Sequence, residues 1–393
     1  MKEIYSNINI VGGGLIGALA GYSLSEIGLT ITIVEKNQAY KDSKNTDYRT
    51  VAISEGTKIF LEKIGLWDQI NKFAQPIEKI KVIDRKLSNI LEFDNSRRQS
   101  NLGYIVKNKQ LLKVVYKNLR LKKNIKIYND AKIINFQNNS DTIKTNLENF
   151  SINSSLNIAA DGKNSFVRDF YKKPFFIKDY KKTALVVTFT HQEKHNNTAF
   201  EFFYKDGPLA ILPMQNLNNS YMSSIVWTNK NKYLEQIVRL NNNSFISILN
   251  KESQNVLGKI KKIVTKQTFP LTAHLNTDFY QDRTIYVGDA AHSFHPIAGQ
   301  GWNLGMRDLE NIYNLSLKYK SLGIELGDKF FCKDYHDNSY YNAYRLYQVT
   351  DKLDNIFQNQ NPIVSLTRSF GLNLLQNNKN FKNIVSDFAM GIN

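Results

Sequence analysis

Residues 8–17, INIVGGGLIG, run an apolar strand straight into a glycine-rich turn. The helical stretch ALAGYSLSEIG follows, and then a second apolar strand, LTITIVEK. Strand, turn, helix and strand in that order make one βαβ unit, which implies a parallel sheet. The glycines fall as Gly12-x-Gly14-x-x-Gly17, and Glu35 stands at the end of the second strand. In this arrangement Gly12 permits the tight turn, Gly14 lets a pyrophosphate approach the backbone, and Gly17 lets helix and strand pack closely. Free N–H groups and the positive dipole end at the helix start then face the phosphates. Glu35 suits the adenosine ribose hydroxyls and argues against a bound 2′-phosphate. The segment therefore reads as an adenine-dinucleotide site.

At 393 residues the chain exceeds the usual limit of a single core. With 42% hydrophobic and 12% aromatic residues it belongs among globular proteins. The formal charge of +17 comes from 52 Lys+Arg against 35 Asp+Glu in a chain rich in Asn, Ile and Lys. No block of five or six basic residues appears, so we read compositional bias and no nucleic-acid partner. The single cysteine, Cys332, excludes an intrachain disulfide and suits a reducing cytosol. Residues 8–24 are largely apolar, but glycines and Asn9 interrupt them and no signal-peptide flanks surround them. A cytoplasmic protein is expected, with room for peripheral contact with the inner membrane.

Further along, 54–74 and 108–121 show helical periodicity, 76–101 alternates like antiparallel strands, and SLNIAAD ends a strand at Asp161. Residues 183–270 are strand-rich, and RTIYVGDAAH resumes the parallel style. The helix after it carries Leu309, Ile312, Tyr313 and Leu317 on one face. Between them lies GDAAHSFHPIAGQG (288–301), where Asp289, His292 and His295 are spaced like metal ligands. Its position after a strand and before a helix favours a cofactor loop instead, and no metal is expected.

Two stretches, IYVGDAAH and AADGKNSFVR, resemble the remaining fingerprints of the class A flavoprotein aromatic hydroxylases, which have the p-hydroxybenzoate hydroxylase-like fold. Within that family the chain is similar to the ubiquinone-biosynthesis branch, the polyprenylphenol hydroxylases. The resemblance runs through TDYRTVAISEGTKIFLEKIGLW (46–67), AFEFFYKDGPLAILPM (199–214), GDAAHSFHPIAGQGWNLGMRD (288–308) and the tail from 349 to 391. It departs from the branch pattern at Ile53 and Trp302, where leucine is usual.

The resemblance implies an α/β fold with a Rossmann-like FAD-binding domain built on a parallel sheet. An antiparallel substrate domain interrupts it, and C-terminal helices follow. Its implied boundaries are 1–75, 102–180 and 277–330 for the FAD-binding domain, 76–101 and 181–276 for the substrate domain, and 331–393 for the helical region. Besides Gly12, Gly14, Gly17 and Glu35, it makes Arg49, Gln110, Asp161, Gly162, Gly288 and Asp289 cofactor contacts, Asp289 through the ribityl hydroxyls. Gly299, Gln300, Gly301 and Asn303 open a helix aimed at the flavin N1–C2=O edge, whose reduced charge it would stabilise. Phe203, Tyr204, Tyr221 and Pro296 fall to the substrate pocket, and His295 to a proton relay.

The implied activity is FAD-dependent hydroxylation of a polyprenylated phenol in ubiquinone biosynthesis, through a flavin C4a-hydroperoxide. O₂ is the oxidant, and NAD(P)H the transient electron donor. The alternatives are a catalytically silent FAD-binding subunit of a ubiquinone-synthesis complex and an isoprenoid reductase of the same superfamily. A water-insoluble substrate calls for peripheral membrane contact or such a complex. The stretch Asn361–Pro362 with Ile363, Leu366, Phe370 and Leu374 suits a lipid-facing helix.

Overall fold

A computed structural model describes residues 2–38, 49–84, 90–94, 100–217, 219–294, 300–359, 376 and 378–391. Its first unit is β1 (Lys2–Val11), α1 (Leu15–Glu26) and β2 (Ile31–Val34), with Ile8 to Val11 paired in parallel to Ile31 to Val34. Next come β3 (Thr50–Ile53), α2 (Glu55–Lys63) and α3 (Trp67–Asn71). The helix expected over 54–74 is thus divided, because Gly65 turns left-handed at φ 73° behind α2. A short sheet of β3, β7 (Gly103–Lys107) and β4 (Gln75–Ile77) lies beside it. Between its strands the chain leaves to make β5 (Lys79–Asp84) and β6 (Ile90–Asp94).

After α4 (Asn108–Leu119) come β8 (Ile125–Tyr128), β9 (Ile133–Asn138), β10 (Ile143–Leu147) and β11 (Phe150–Ala159). β11 lies parallel to β1, so the first sheet carries β1 at its centre. A short α5 (Phe166–Phe170) leads to the second sheet. That sheet holds β12 (Phe175–His191), β13 (Thr198–Tyr204), β14 (Gly207–Leu217), β15 (Ser220–Lys230) and β16 (Ile260–Asn276). Its pairings are antiparallel except at one edge, where β5 joins β13 in parallel. α6 (Asn231–Arg239) and α7 (Asn242–Glu252) precede β16, which runs on beyond the strand-rich stretch expected over 183–270.

The chain then returns to the first sheet through β17 (Tyr280–Gln281) and β18 (Thr284–Tyr286), the latter parallel to β11. β19 (His292–Ser293), α8 (Gln300–Ser321), α9 (Lys329–Gln358) and α10 (Lys379–Met390) complete the described chain. The lipid-facing helix expected from Asn361 lies outside the described residues.

Three apolar cores follow from this layout. The largest gathers Ile8, Ile10, Ile33, Ile158 and Ile285 of the parallel sheet with residues of α1, α4 and α8. The second packs Leu185, Phe202 and Trp227 against Leu234, Phe245 and Leu249 of α6 and α7. A third joins Ile77 and Ile105 of the short sheet to Ala199, Met214 and Met222 of the second sheet and to Met390. The two faces of the second sheet therefore differ in what they meet: helices on one side, the nucleotide-binding half of the chain on the other.

Candidate cofactor and substrate site

At the end of β1, Gly12 adopts φ 107°, and a Cβ there would lie 2.4 Å from the Ala160 carbonyl oxygen. A Cβ on Gly17 would lie 1.9 Å from the Gly12 oxygen, so helix and turn touch through that position. Gly14 is different: a Cβ there would meet nothing within 4 Å. Gly14 caps α1 without a side-chain hydrogen bond, and no acid occupies the first turn. The turn thus leaves the helix N-terminus uncapped and open.

Glu35 braces the turn from below. Its Oε2 accepts the Gly13 N–H at 2.7 Å and its Oε1 the Asn37 N–H at 3.0 Å, while the Tyr116 hydroxyl donates to the Gly13 carbonyl at 2.7 Å. Burial next to Glu35 raises that hydroxyl well above its ordinary pKa, so it stays a donor.

Across the sheet, Gly288 sits at φ 55° and donates its N–H to Asp308 Oδ2 at 2.9 Å. The same oxygen lies 2.7 Å from His292 Nε2. His292 is buried and engaged with Asp308, which explains its place in the motif without a metal. Asp289, one residue on, keeps an exposed side chain. It stands in a recess where desolvation raises its carboxyl above the usual range, with His292 and Lys163 acting against that rise.

Asp161 accepts the Val167 N–H at 3.1 Å and so helps start α5, while its Oδ1 is buried without a partner. Gly162 beside it adopts φ 82° with open space where a Cβ would be. Neighbouring Arg168 places Nη1 3.4 Å from His274 Nε2, donates to the Lys163 carbonyl at 2.8 Å and lies 4.6 Å from the Phe175 ring centroid. Burial, aided by Arg168, pushes the His274 imidazole down to about 3, so it is neutral. The sequence alone does not single out this cluster; its visible sign is Arg168 at the end of AADGKNSFVR.

At the start of β3, the Arg49 guanidinium is 6.0 Å from the ring centroid of Phe269 in the second sheet. Gln110 is half-buried in the first turn of α4. Gln300 and Gly301 begin α8, and a Cβ on Gly301 would again meet open space. Asn303 departs from its expected role as a flavin contact. Its Oδ1 accepts from Ser54 N at 3.0 Å and Thr57 Oγ1 at 2.9 Å, and its Nδ2 donates to the Ala52 carbonyl at 2.8 Å. The side chain pins α8 to the β3–α2 junction. His295, Pro296 and Gly299 lie outside the described residues.

Two pocket assignments need correction. Tyr204 is buried in the helix-covered core and donates its hydroxyl to the Glu252 carbonyl. Tyr221 shares a strand face with Ile225 and Trp227, both in that same core, and its ring is 6.2 Å from that of His191. Period-two alternation puts both tyrosines on the wrong face for a site against the nucleotide-binding half. Phe203 has the right face, and its ring stacks on Phe357 of α9 with centroids 3.6 Å apart.

That same face also holds Glu201, opposite Ala210 and Val82 in register, while Phe200 and Phe202 point into the helix-covered core. Burial alone pushes its carboxyl up to about 8. Sequence reading passed over Glu201, because an acid in AFEFF looks like the solvent side of an alternating strand.

The family model described as FAD binding domain matches residues 5–320. The chain belongs to the FAD binding domain family. This FAD-binding chain is 28% identical to a ubiquinone hydroxylase of Rhodospirillum rubrum, with 98% of this chain and 90% of the relative covered. It is 24% identical to 3-demethoxyubiquinol 3-hydroxylase of Escherichia coli, over 98% of this chain and 99% of that one. Among solved structures, p-nitrophenol 4-monooxygenase of Pseudomonas putida superposes with a TM-score of 0.81 at 16% identity, covering 100% of this chain and 99% of that one. A probable FAD-dependent monooxygenase of Pseudomonas aeruginosa gives 0.77 at 16% identity, with 94% and 99% covered.

The residues present fit FAD. Of the glycines of the candidate site, Gly14, Gly162 and Gly301 leave open space where side chains would project. The N-terminus of α1 offers uncapped N–H groups, as a pyrophosphate requires. Asp289 offers an accessible carboxylate for hydroxyls, and Asp161 an orphaned buried oxygen. Among the described residues, no group of three or more His, Cys, Asp or Glu side chains could hold a metal ion.

Proposed function

We propose that this FAD-dependent monooxygenase hydroxylates the ring of a polyprenylated phenol on the route to ubiquinone, with O₂ as oxidant and NAD(P)H as electron donor. The observation that carries this reading is the end-to-end likeness to ubiquinone hydroxylases. It spans 98% of the chain, whereas the FAD-binding match stops at residue 320. Likeness through the C-terminal part separates this reading from that of an FAD-binding module alone.

Bound FAD supplies the redox chemistry and the activation of oxygen. The chain's own residues bind, orient and shield. Gly12, Gly14 and the start of α1 receive the pyrophosphate, Glu35 the adenosine ribose, and Asp289 the ribityl hydroxyls. Arg49, Gln110, Asp161 and Gly162 line the same cleft, and the start of α8 at Gln300 and Gly301 turns its N–H groups toward the flavin. The inner face of the second sheet, with Val186, Val226, Ala210 and Phe203, closes the reaction off from water, which would otherwise divert the oxygen to peroxide. This reading assigns 1–75, 102–180 and 277–330 to the cofactor and 76–101 with 181–276 to the substrate.

No described helix is long and apolar enough to cross a membrane. A polyprenylated substrate is insoluble in water, so this reading has it met at a membrane surface or on a partner of a ubiquinone-synthesis complex.

The test is turnover of purified, FAD-loaded protein with NAD(P)H, ¹⁸O₂ and a 2-polyprenylphenol. One ¹⁸O atom in the ring product is expected. Donor oxidation without ring oxygen would overturn the proposal.

A further inference from the structure

We propose that the Glu201 carboxyl accepts the hydrogen bond, and then the proton, of the substrate's phenolic hydroxyl. This rests on the reading of the chain as a phenol hydroxylase, and deepens it by naming the group that activates the ring.

Three observations place Glu201 in that role. First, its side of the sheet is the side that meets the nucleotide-binding half. Val82 and Ala199 on that face pack with Ile105 and Ala52 of the short sheet, and Phe269 faces Arg49. Second, Glu201 has no hydrogen-bond or ion-pair partner among the described residues. Its neighbours in register are Val82 and Ala210, flanked by Phe203 and Ala199. The titratable and charged groups nearest in register are Asp84, opposite Phe203 on β5, and Arg49, at Phe269 on the far side of the sheet. β14 places Ala210 opposite it, and among the described side chains of α9 Phe357 reaches this face through its stack on Phe203.

Third, the same face carries two more polar groups with unused capacity. Thr188 and Ser224 are directly opposite each other on β12 and β15, both fully buried, and neither hydroxyl has a hydrogen-bond partner among the described residues. Buried polar groups are nearly always paired, so unpaired hydroxyls on the face that carries Glu201 suit the polar atoms of a ligand.

The chemistry follows from the environment. A carboxyl pushed up to about 8 by burial is a stronger base than an ordinary glutamate and is matched to a phenol near neutral pH. The phenolic O–H bond breaks, an O–H bond to the carboxylate forms, and the electron pair stays on the phenolate oxygen. That charge enriches the ring carbons ortho and para to it, the positions that accept an electrophilic oxygen atom. After transfer the ring carbon loses its own hydrogen as a proton, and the phenolate oxygen recovers a proton from Glu201.

The experiment uses FAD-loaded wild type, Glu201→Gln and Glu201→Leu, with 2-prenylphenol and its O-methyl ether as paired probes. Affinity is read from the perturbation of flavin absorbance, and flavin content reports folding. Wild type should prefer the phenol about tenfold, the worth of one good hydrogen bond, and Glu201→Leu should bind both probes alike. Glu201→Gln should keep part of the preference, lose the rise in hydroxylation rate near pH 8, and turn over roughly 100-fold more slowly. A flavin-loaded Glu201→Leu that keeps the full preference, or a Glu201→Gln with an unchanged pH profile, overturns the assignment of Glu201. A wild type that neither binds nor hydroxylates any phenol overturns the proposed function, and this inference with it.

Discussion

Gly14 and Gly17 sit three residues apart in one turn, yet a methyl group added to each meets opposite surroundings. At Gly17 it would overlap the Gly12 oxygen, and the backbone must separate to admit it. Gly17→Ala should therefore destabilise the apoprotein by about 3 kcal/mol, the upper range for overpacking, seen as a lowered Tm without added flavin. At Gly14 the methyl enters open space at an ordinary φ of −67°. Gly14→Val should fold with nearly wild-type apo Tm and lose FAD, visible as a colourless preparation. Equal Tm losses in both variants would mean that Gly14 is structural and that the cradle lies elsewhere. Gly301 belongs with Gly14, since its Cβ would also find open space. Gly301→Leu should fold and lose flavin.

The placement of α8 shows how one side chain can fix an element. Asn303 satisfies the Ser54 N–H, the Thr57 hydroxyl and the Ala52 carbonyl in a buried position. Asn303→Leu strands all three and should cost about 3 kcal/mol, measured by denaturant unfolding. FAD affinity should fall with it, because α8 then starts in the wrong place.

The period of the sequence made such elements readable where one face was wet. α4 shows a clear pattern for that reason; the βαβ unit is buried nearly all round and was legible from its apolar runs and its glycines, Gly12 and Gly17 each being forced by a backbone contact. The second sheet was harder to read. In β13 and β15 large apolar and aromatic residues fall on both faces, so alternation does not tell Tyr204 and Tyr221 from Phe203. Only the positions of α6 and α7 settle which side is which. Glu201 was hidden by the same ambiguity, since an acid in a two-sided strand passes for a solvated residue.

On the scale of the whole molecule, Glu201 also couples stability to pH. Its folded-state pKa is raised, so its contribution is full below the ordinary glutamate range and is lost as pH rises toward about 8. Between about pH 5 and pH 8.5 the Tm of wild type should fall relative to Glu201→Gln, which cannot ionise. Parallel Tm curves would show that Glu201 is not buried in solution. The long reach of the first sheet has a separate consequence, for synthesis. β1, α1 and β2 leave the ribosome first, but β11, on the other side of β1, begins only at Phe150, and β18 follows at Thr284. α8, which packs on α1 beneath Ile16 and Gly305, comes later still. The nucleotide turn is thus made long before its walls, and a growing chain must carry bare Ile8, Ile10 and Leu19 until the rest arrives. A nascent chain arrested before Thr284 should be cut readily by protease even with FAD present, while the released protein resists. That contrast would place completion of the first sheet after release from the ribosome.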